Sequence, residues 1–212
     1  MSFPRDNAES ASPCDAREGI EAVVIGTSAG ALDALSALLP SLPADYALPI
    51  VIVVHLRPDR PNLIPELLQR KCAIVLSEAE DKEVLLPGHA YMAPPDYHLL
   101  IEKDKTLSLS AEEEVHFSRP SIDVLFESAA DCYGASLAGV VLTGANEDGA
   151  EGLRAIVAVG GAAFVQCPDA AYARVMPEMA LRACPSARIM KLEELAAALR
   201  QLGAKLQGAQ IT

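Results

Sequence analysis

The sequence predicts an α/β fold: a doubly wound, mostly parallel sheet with helices on both faces and an antiparallel β-hairpin insertion. Three observations predict it. Short apolar runs at residues 22–25, 49–54 and 137–142 alternate with stretches of helical periodicity. Those runs are apolar throughout, the pattern of strands covered on both faces. Hydrophobic residues make up 51% of the chain, with only four Phe and no Trp, so the core is aliphatic.

The elements follow in order. Residues 1–19 are polar, rich in Ser, Ala, Asp and Pro, and read as a disordered tail. A strand at 22–25 enters the turn Gly26-Thr27-Ser28-Ala29-Gly30, and a helix with Leu32, Leu35, Leu38 and Leu39 spans 31–39. A prolyl loop leads to the apolar run 49–55, which ends abruptly at His55. Asn62 caps a helix over 62–71, with Pro65 in its first turn. A strand follows at 73–77. Residues 78–110 carry turn signals between short strands (90–92, 98–101, 106–110), which predicts a β-rich excursion with a hairpin instead of another βα unit. Glu112-Glu113-Glu114 reads as a solvated charge run. A helix at 121–133 buries Ile122, Leu125, Phe126 and Ala129 and ends at Gly134. The strand 137–142 enters the turn 143–149, a helix spans 150–159, and a strand spans 162–166. A helix beginning near Met176-Pro177, a strand at 187–190 and a helix at 192–202 stopped by Gly203 complete the chain. The expected organisation is a tail at 1–19, one catalytic domain at 20–205 and a frayed end at 206–212.

Composition excludes several classes. A net charge of -12 is wrong for nucleic acid or an anionic membrane as main partner. No apolar run is long enough for membrane insertion, and the first residues lack a secretory core. Five scattered cysteines without a C-x-x-C pair read as reduced thiols in a cytoplasmic protein, with no metal site. The 26–30 turn meets neither the dinucleotide fingerprint nor the P-loop pattern, so no cofactor is expected.

In a doubly wound sheet, ligands bind at the carboxyl ends of the strands. The polar residues just past strand ends are Ser28, His55 and the group Asn146, Glu147 and Asp148. A serine between glycines on a strand-to-helix turn has the geometry of a nucleophile elbow. Imidazole is the base best tuned to neutral pH, and a buried carboxylate orients it. Taken singly, each has a plain structural reading. Ser28 fits a phosphate cradle or simple turn, His55 a core or capping histidine, and Asp148 the cap of the helix at 150. His89, His98 and His116 compete as bases, but they lie in or beside the β-rich excursion. Three triad residue types at three strand ends point to a serine hydrolase. The order Ser, His, Asp differs from the Ser, Asp, His of α/β-hydrolases.

These motifs resemble a known family. Val24-Ile25-Gly26-Thr27-Ser28-Ala29-Gly30, Val54-His55-Leu56, Arg119-Pro120-Ser121-Ile122-Asp123, Leu142-Thr143-Gly144 with Asp148-Gly149, and Met176-Pro177 are similar to the catalytic domain of the chemotaxis protein-glutamate methylesterases. The resemblance implies a Rossmann-like hydrolase with Ser28 as nucleophile, His55 as base and Asp148 as its orienting carboxylate. It implies backbone oxyanion donors at Ala29 and Ala145. Apart from the resemblance, the Arg119-Pro120-Ser121 stretch reads as a weaker candidate for substrate contact or as a helix start with a surface charge, and Met176 as a wall of the site or a core residue. The implied activity is hydrolysis of glutamyl methyl esters on methylated chemoreceptor helices, with deamidation of receptor glutamines. Two local departures stand out: Gly30-Ala31 replaces Gly-Gly, and Ala145-Asn146-Glu147 replaces a Met-Gly-Asn-like triplet.

In that family an N-terminal receiver domain covers the active site. Here the expectation is that only a polar tail precedes the first strand. That leaves constitutive activity, control by a response regulator in trans, or service to another sensory system. The alternative readings are a non-catalytic receptor- or ligand-binding module and a nucleotide-binding domain. An intact Ser28, His55 and Asp148 opposes the first, and the lack of Lys or Arg in the 26–30 turn opposes the second. Docking on acidic receptor bundles would call on a basic patch at Arg57, Arg60 and Arg119.

Overall fold

The computed structural model describes residues 19–56, 61–115 and 117–209; the expected tail before Gly19, Arg57, Arg60 and His116 lie outside them. Along the described chain run β1 (Ala22–Thr27), α1 (Ala31–Leu38), β2 (Ile50–Val54), α2 (Ile64–Gln69), β3 (Val75–Glu78), β4 (His89–Met92), β5 (His98–Ile101) and β6 (Leu107–Ser110). There follow α3 (Ile122–Tyr133), β7 (Leu137–Val141), α4 (Ala150–Ala158), β8 (Ala162–Gln166), α5 (Val175–Ala183), β9 (Arg188–Met190) and α6 (Leu192–Ala209).

Seven strands form one sheet in the order β3-β4-β2-β1-β7-β8-β9, every adjacent pair parallel. The strands β5 and β6 form the expected antiparallel hairpin, with Leu99 opposite Leu109. The sheet grows outward from β1 in both directions, so β1 is the switch point where a doubly wound sheet opens a crevice.

Alternation along β1 divides the core. Val23 and Ile25 pack with Leu35, Leu38, Ile52, Leu195 and Leu199 on the α1 and α6 face. Ala22 and Val24 pack with Val51, Leu125, Phe126 and Leu153 on the α3 and α4 face. Both faces are covered, which is why every residue of β1, β2 and β7 is buried.

Two expectations are corrected. Residues 89–92 do not belong to the antiparallel excursion: β4 inserts between β2 and β3 as a parallel strand. Its Ala90, Tyr91 and Met92 are buried, and burial on both faces favours the main sheet over an exposed hairpin. Gly203 does not stop the last helix, because α6 continues to Ala209. The glycine lies against the Tyr46 ring, where any Cβ would collide, so it serves packing and not termination.

Candidate active site

The register of the sheet brings the three turns together. Thr27 pairs with Val54, so Ser28 and His55, each one residue past its strand, are neighbours across β1 and β2. The His55 N–H donates to Thr27 O at 3.2 Å and continues that pairing. On the other side Gly26 pairs with Val141, and the Ser28 N–H donates to Thr143 O at 2.9 Å. Three segments distant in sequence thus meet at the switch point.

The nucleophile turn is built for a tight reversal. Gly30 has φ 85, a left-handed value that favours glycine, and the chain enters α1 at Ala31. Ala31 is thus an ordinary helical residue, so the Gly-to-Ala departure is accommodated. Thr143 ties the two loops together: its hydroxyl donates to Ala29 O and accepts from Ala173 N–H, both at 2.8 Å. The Thr27 hydroxyl donates to Thr143 O at 3.0 Å. Among the described residues, the N–H groups of Ala29 and Ala145 have no intramolecular acceptor. Two uncommitted backbone donors on linked turns beside a serine form an arrangement suited to an oxyanion.

His55 Nε2 lies 2.8 Å from Asp148 Oδ2. Asp148 is fully buried. Burial alone pushes its pKa up, but the hydrogen bonds from His55 and from the Asp123 and Ile122 N–H groups outweigh burial and hold it below the ordinary carboxylate value. An ionised Asp148 accepts the Nε2 proton, which leaves Nδ1 as the only acceptor of the neutral ring. Asn146 Nδ2 lies 3.3 Å from that Nδ1.

Asp148 does not cap the helix it precedes. The N-cap of α4 is Gly149. Its carboxylate instead binds the start of α3: Ser121 Oγ donates to Oδ1 at 3.0 Å, Ile122 N–H to Oδ2 at 2.7 Å and Asp123 N–H to Oδ1 at 2.9 Å. A helix N-terminus is a natural seat for a carboxylate. Asp123 answers from α3, its Oδ1 accepting from Gly149 N–H at 3.0 Å and Gly152 N–H at 2.6 Å.

His98 stands behind Ser121. Its Nδ1 accepts from Ser121 N–H at 3.1 Å, and its Nε2 lies 3.0 Å from Glu113 O, so it is the neutral Nε2–H form. His98 is therefore a support for the Asp148 cradle and not a competing base. His89 is half-buried at the start of β4, away from the three turns, and bonds Pro87 O. The sequence offers Ser121 only as part of the Arg119-Pro120-Ser121 stretch, as a substrate contact, and does not assign Asp123 or His98 to the site. The Arg119–Asp123 motif carried Ser121 and Asp123, but their partners are distant in sequence.

Two expected substrate contacts, Arg119 and Met176, also have structural partners. Arg119 lines a cavity of about 320 Å³ with His55, Leu56, Asp96, Glu114, Phe117 and Pro120. Its guanidinium, however, donates to Asp96 Oδ1 at 2.6 and 3.1 Å, to Ala111 O at 3.1 Å and to Glu112 O at 2.8 Å, which commits four of its five N–H groups. Met176 is buried beneath the 143–149 turn: its N–H donates to Gly144 O at 3.0 Å, and its side chain fills the space a Cβ at Gly144 would need. It buttresses that turn from below.

Among the described residues, no group of three or more His, Cys, Asp or Glu is placed to hold a metal ion. Within the same residues no helix is long and apolar enough to cross a membrane.

Known proteins share this framework. The family model for the CheB methylesterase matches residues 23–199. A putative protein-glutamate methylesterase/protein-glutamine glutaminase of Leptospira interrogans is 49% identical over 176 residues, covering 83% of this chain and 91% of that protein. A Pseudomonas aeruginosa protein-glutamate methylesterase/protein-glutamine glutaminase is 36% identical over 200 residues, and the match takes in 93% of this chain and 56% of that longer protein. The crystal structure of the Thermotoga maritima CheB methylesterase catalytic domain superposes with a TM-score of 0.82 at 27% identity, covering 86% of this chain and 98% of that one. With its sheet, its three turns and most of its length accounted for in this way, the chain belongs to the CheB methylesterase family.

Proposed function

We propose that this protein is a protein-glutamate methylesterase that removes methyl groups from glutamate side chains of methylated chemoreceptor helices in the cytoplasm. Ser28 is its nucleophile, His55 its base and Asp148 its orienting carboxylate. The observation that carries the reading is the 2.8 Å bond from His55 to a fully buried Asp148, one strand away from a serine on a glycine turn. The relatives named for this activity support it.

The reaction proceeds by two acyl transfers. His55 Nδ1 takes the Ser28 Oγ proton as Oγ attacks the γ-carbonyl carbon. Asp148 stabilises the imidazolium through Nε2–H, and the Ala29 and Ala145 N–H groups receive the oxyanion. The C–O bond to the methoxy group breaks, and the Nδ1 proton leaves with it as methanol. Water then attacks the acyl-enzyme, with His55 again as base, and releases glutamate.

Charge beside the site favours turnover. Asp96 and Glu114 line the cavity next to His55, with Arg119 already paired to Asp96. The methyl ester is neutral and its product is a carboxylate. With Asp96 neutralised by Arg119, Glu114 leaves the wall one net negative charge, which tolerates the neutral ester and disfavours the carboxylate product. Deamidation of a receptor glutamine uses the same groups, with ammonia as leaving group.

The test is methanol release from methylated chemoreceptor fragments by the wild type and by Ser28→Ala. Release by the wild type alone is the expected result. Undiminished release by the variant would sink the nucleophile assignment, and binding of the fragments without release by either protein would favour a binding module.

A further inference from the structure

A neutral imidazole has one acceptor lone pair. With Nε2–H given to Asp148, that lone pair sits on Nδ1 of His55. It is the same lone pair that must take the Ser28 proton. In this structure Asn146 Nδ2 already sits on it, at 3.3 Å. Among the described residues, Ser28 makes backbone bonds to Thr143 and Ala31 and its hydroxyl none. Asn146 thus holds the one acceptor that proton transfer from Ser28 would need.

The other end of the same amide is unusual. Asn146 Oδ1 is buried and has no hydrogen-bond partner among the described residues. Turning the amide over would bring Oδ1 against the Nδ1 lone pair, which is repulsive while the ring is neutral. The observed orientation is therefore the one the neutral ring selects. Among the described residues the His55 contact is the one hydrogen bond holding this amide, so the restraint is shallow and reversible.

We propose that Asn146 is a positioning residue that latches the base: its side-chain amide occupies Nδ1 of resting His55 and must swing away before Ser28 can transfer its proton. The inference rests on the assignment of Ser28 and His55 above. It adds a brake that acts at the proton-transfer step and leaves substrate binding alone.

Two measurements on the full chain test this, with Asn146→Ala and Asn146→Gly as parallel variants. The first is the ¹⁵N resonance of His55 Nδ1, read at the high-pH plateau of its own titration. Wild type should show a hydrogen-bonded Nδ1, and both variants should shift toward a free lone pair while Nε2 stays protonated. The second is the rate at which a fluorophosphonate labels Ser28. In that reaction Oγ bonds to phosphorus, fluoride leaves, and the Oγ proton passes to Nδ1. Both variants should label about three- to tenfold faster, the worth of one neutral hydrogen bond. An unchanged Nδ1 resonance, or slower labelling in both variants, overturns the latch while leaving the nucleophile in place. Labelling of no protein at all would instead overturn the Ser28 assignment, and the latch with it.

Discussion

Asp148 and Asp123 cap each other's helices. Asp148 accepts from Ile122 and Asp123 N–H at the start of α3, and Asp123 accepts from Gly149 and Gly152 N–H at the start of α4. Both carboxylates are buried at one junction, so the orientation of His55 is set by the packing of two helices against each other. Asp123→Ala strips the partner from two buried N–H groups, at a cost of about 1–3 kcal/mol each before relaxation. Urea unfolding should therefore show a loss of at least ~1 kcal/mol. Esterase turnover should fall as well, because Asp148 loses its fixed seat. A variant of wild-type stability and activity would show that the reciprocal cap is dispensable.

The depressed pKa of Asp148 has a consequence for stability. Its folded value lies below the ordinary 3.8 because hydrogen bonds from His55, Asp123 and Ile122 outweigh burial. The stabilisation from this group is complete above the unfolded value and is lost as pH falls through the folded one. Asp148→Asn removes that dependence. The plot of unfolding free energy against pH should be flatter below about pH 4 in the variant than in the wild type. Turnover by Asp148→Asn should drop by on the order of 10³–10⁴, since an amide neither fixes the Nε2–H form nor stabilises imidazolium. Parallel acid limbs for the two proteins would place the acid lability elsewhere.

How much of this was legible in the chain follows from where each signal resides. The parallel strands were plain, because burial on both faces writes an uninterrupted apolar run. The ends of those runs marked Ser28, His55 and Asp148, and register then made them neighbours. Pairing of short strands was not legible: residues 89–92 carry the same local pattern whether they join a hairpin or enter the main sheet. The support of Asp148 was hidden because Ser121 and His98 lie 27 and 23 residues from their partners. The sequence offers Arg119 and Met176 as substrate contacts, and only packing reveals that one is bound to Asp96 and the other lies under Gly144. Gly203 was misjudged for the same reason, since a glycine that ends a helix and one that admits an aromatic ring look identical in sequence.

Gly30 should not tolerate a side chain. It combines φ 85 with a close approach: a Cβ there would lie 2.7 Å from Tyr172 Cβ and 3.1 Å from Thr143 Cγ2. Gly30→Ala should lose about 1–3 kcal/mol through backbone strain and should slow fluorophosphonate labelling of Ser28 as the turn shifts. Adding Tyr172→Gly removes the nearest clashing atom but not the left-handed backbone, so stability should recover only in part. Full recovery would mean that the steric contact alone mattered.

Gly203→Ala offers a test by sign. Replacing a mid-helix glycine by alanine ordinarily stabilises a protein by about 0.5–1 kcal/mol. Here a Cβ would come within 3.2 Å of Tyr46 Cζ and closer still to the near edge of the ring. Tyr46 cannot withdraw easily, because it is buried and its hydroxyl donates to Leu199 O at 2.7 Å. The substitution should therefore destabilise by about 1–3 kcal/mol, the usual cost of overpacking a core. In a Tyr46→Ala background the obstacle is gone, and the same change should turn stabilising. A double-mutant cycle read by urea unfolding would report that reversal as a coupling between α6 and the loop before β2. Stabilisation of the wild-type background by Gly203→Ala would show that the ring does not rest on this glycine.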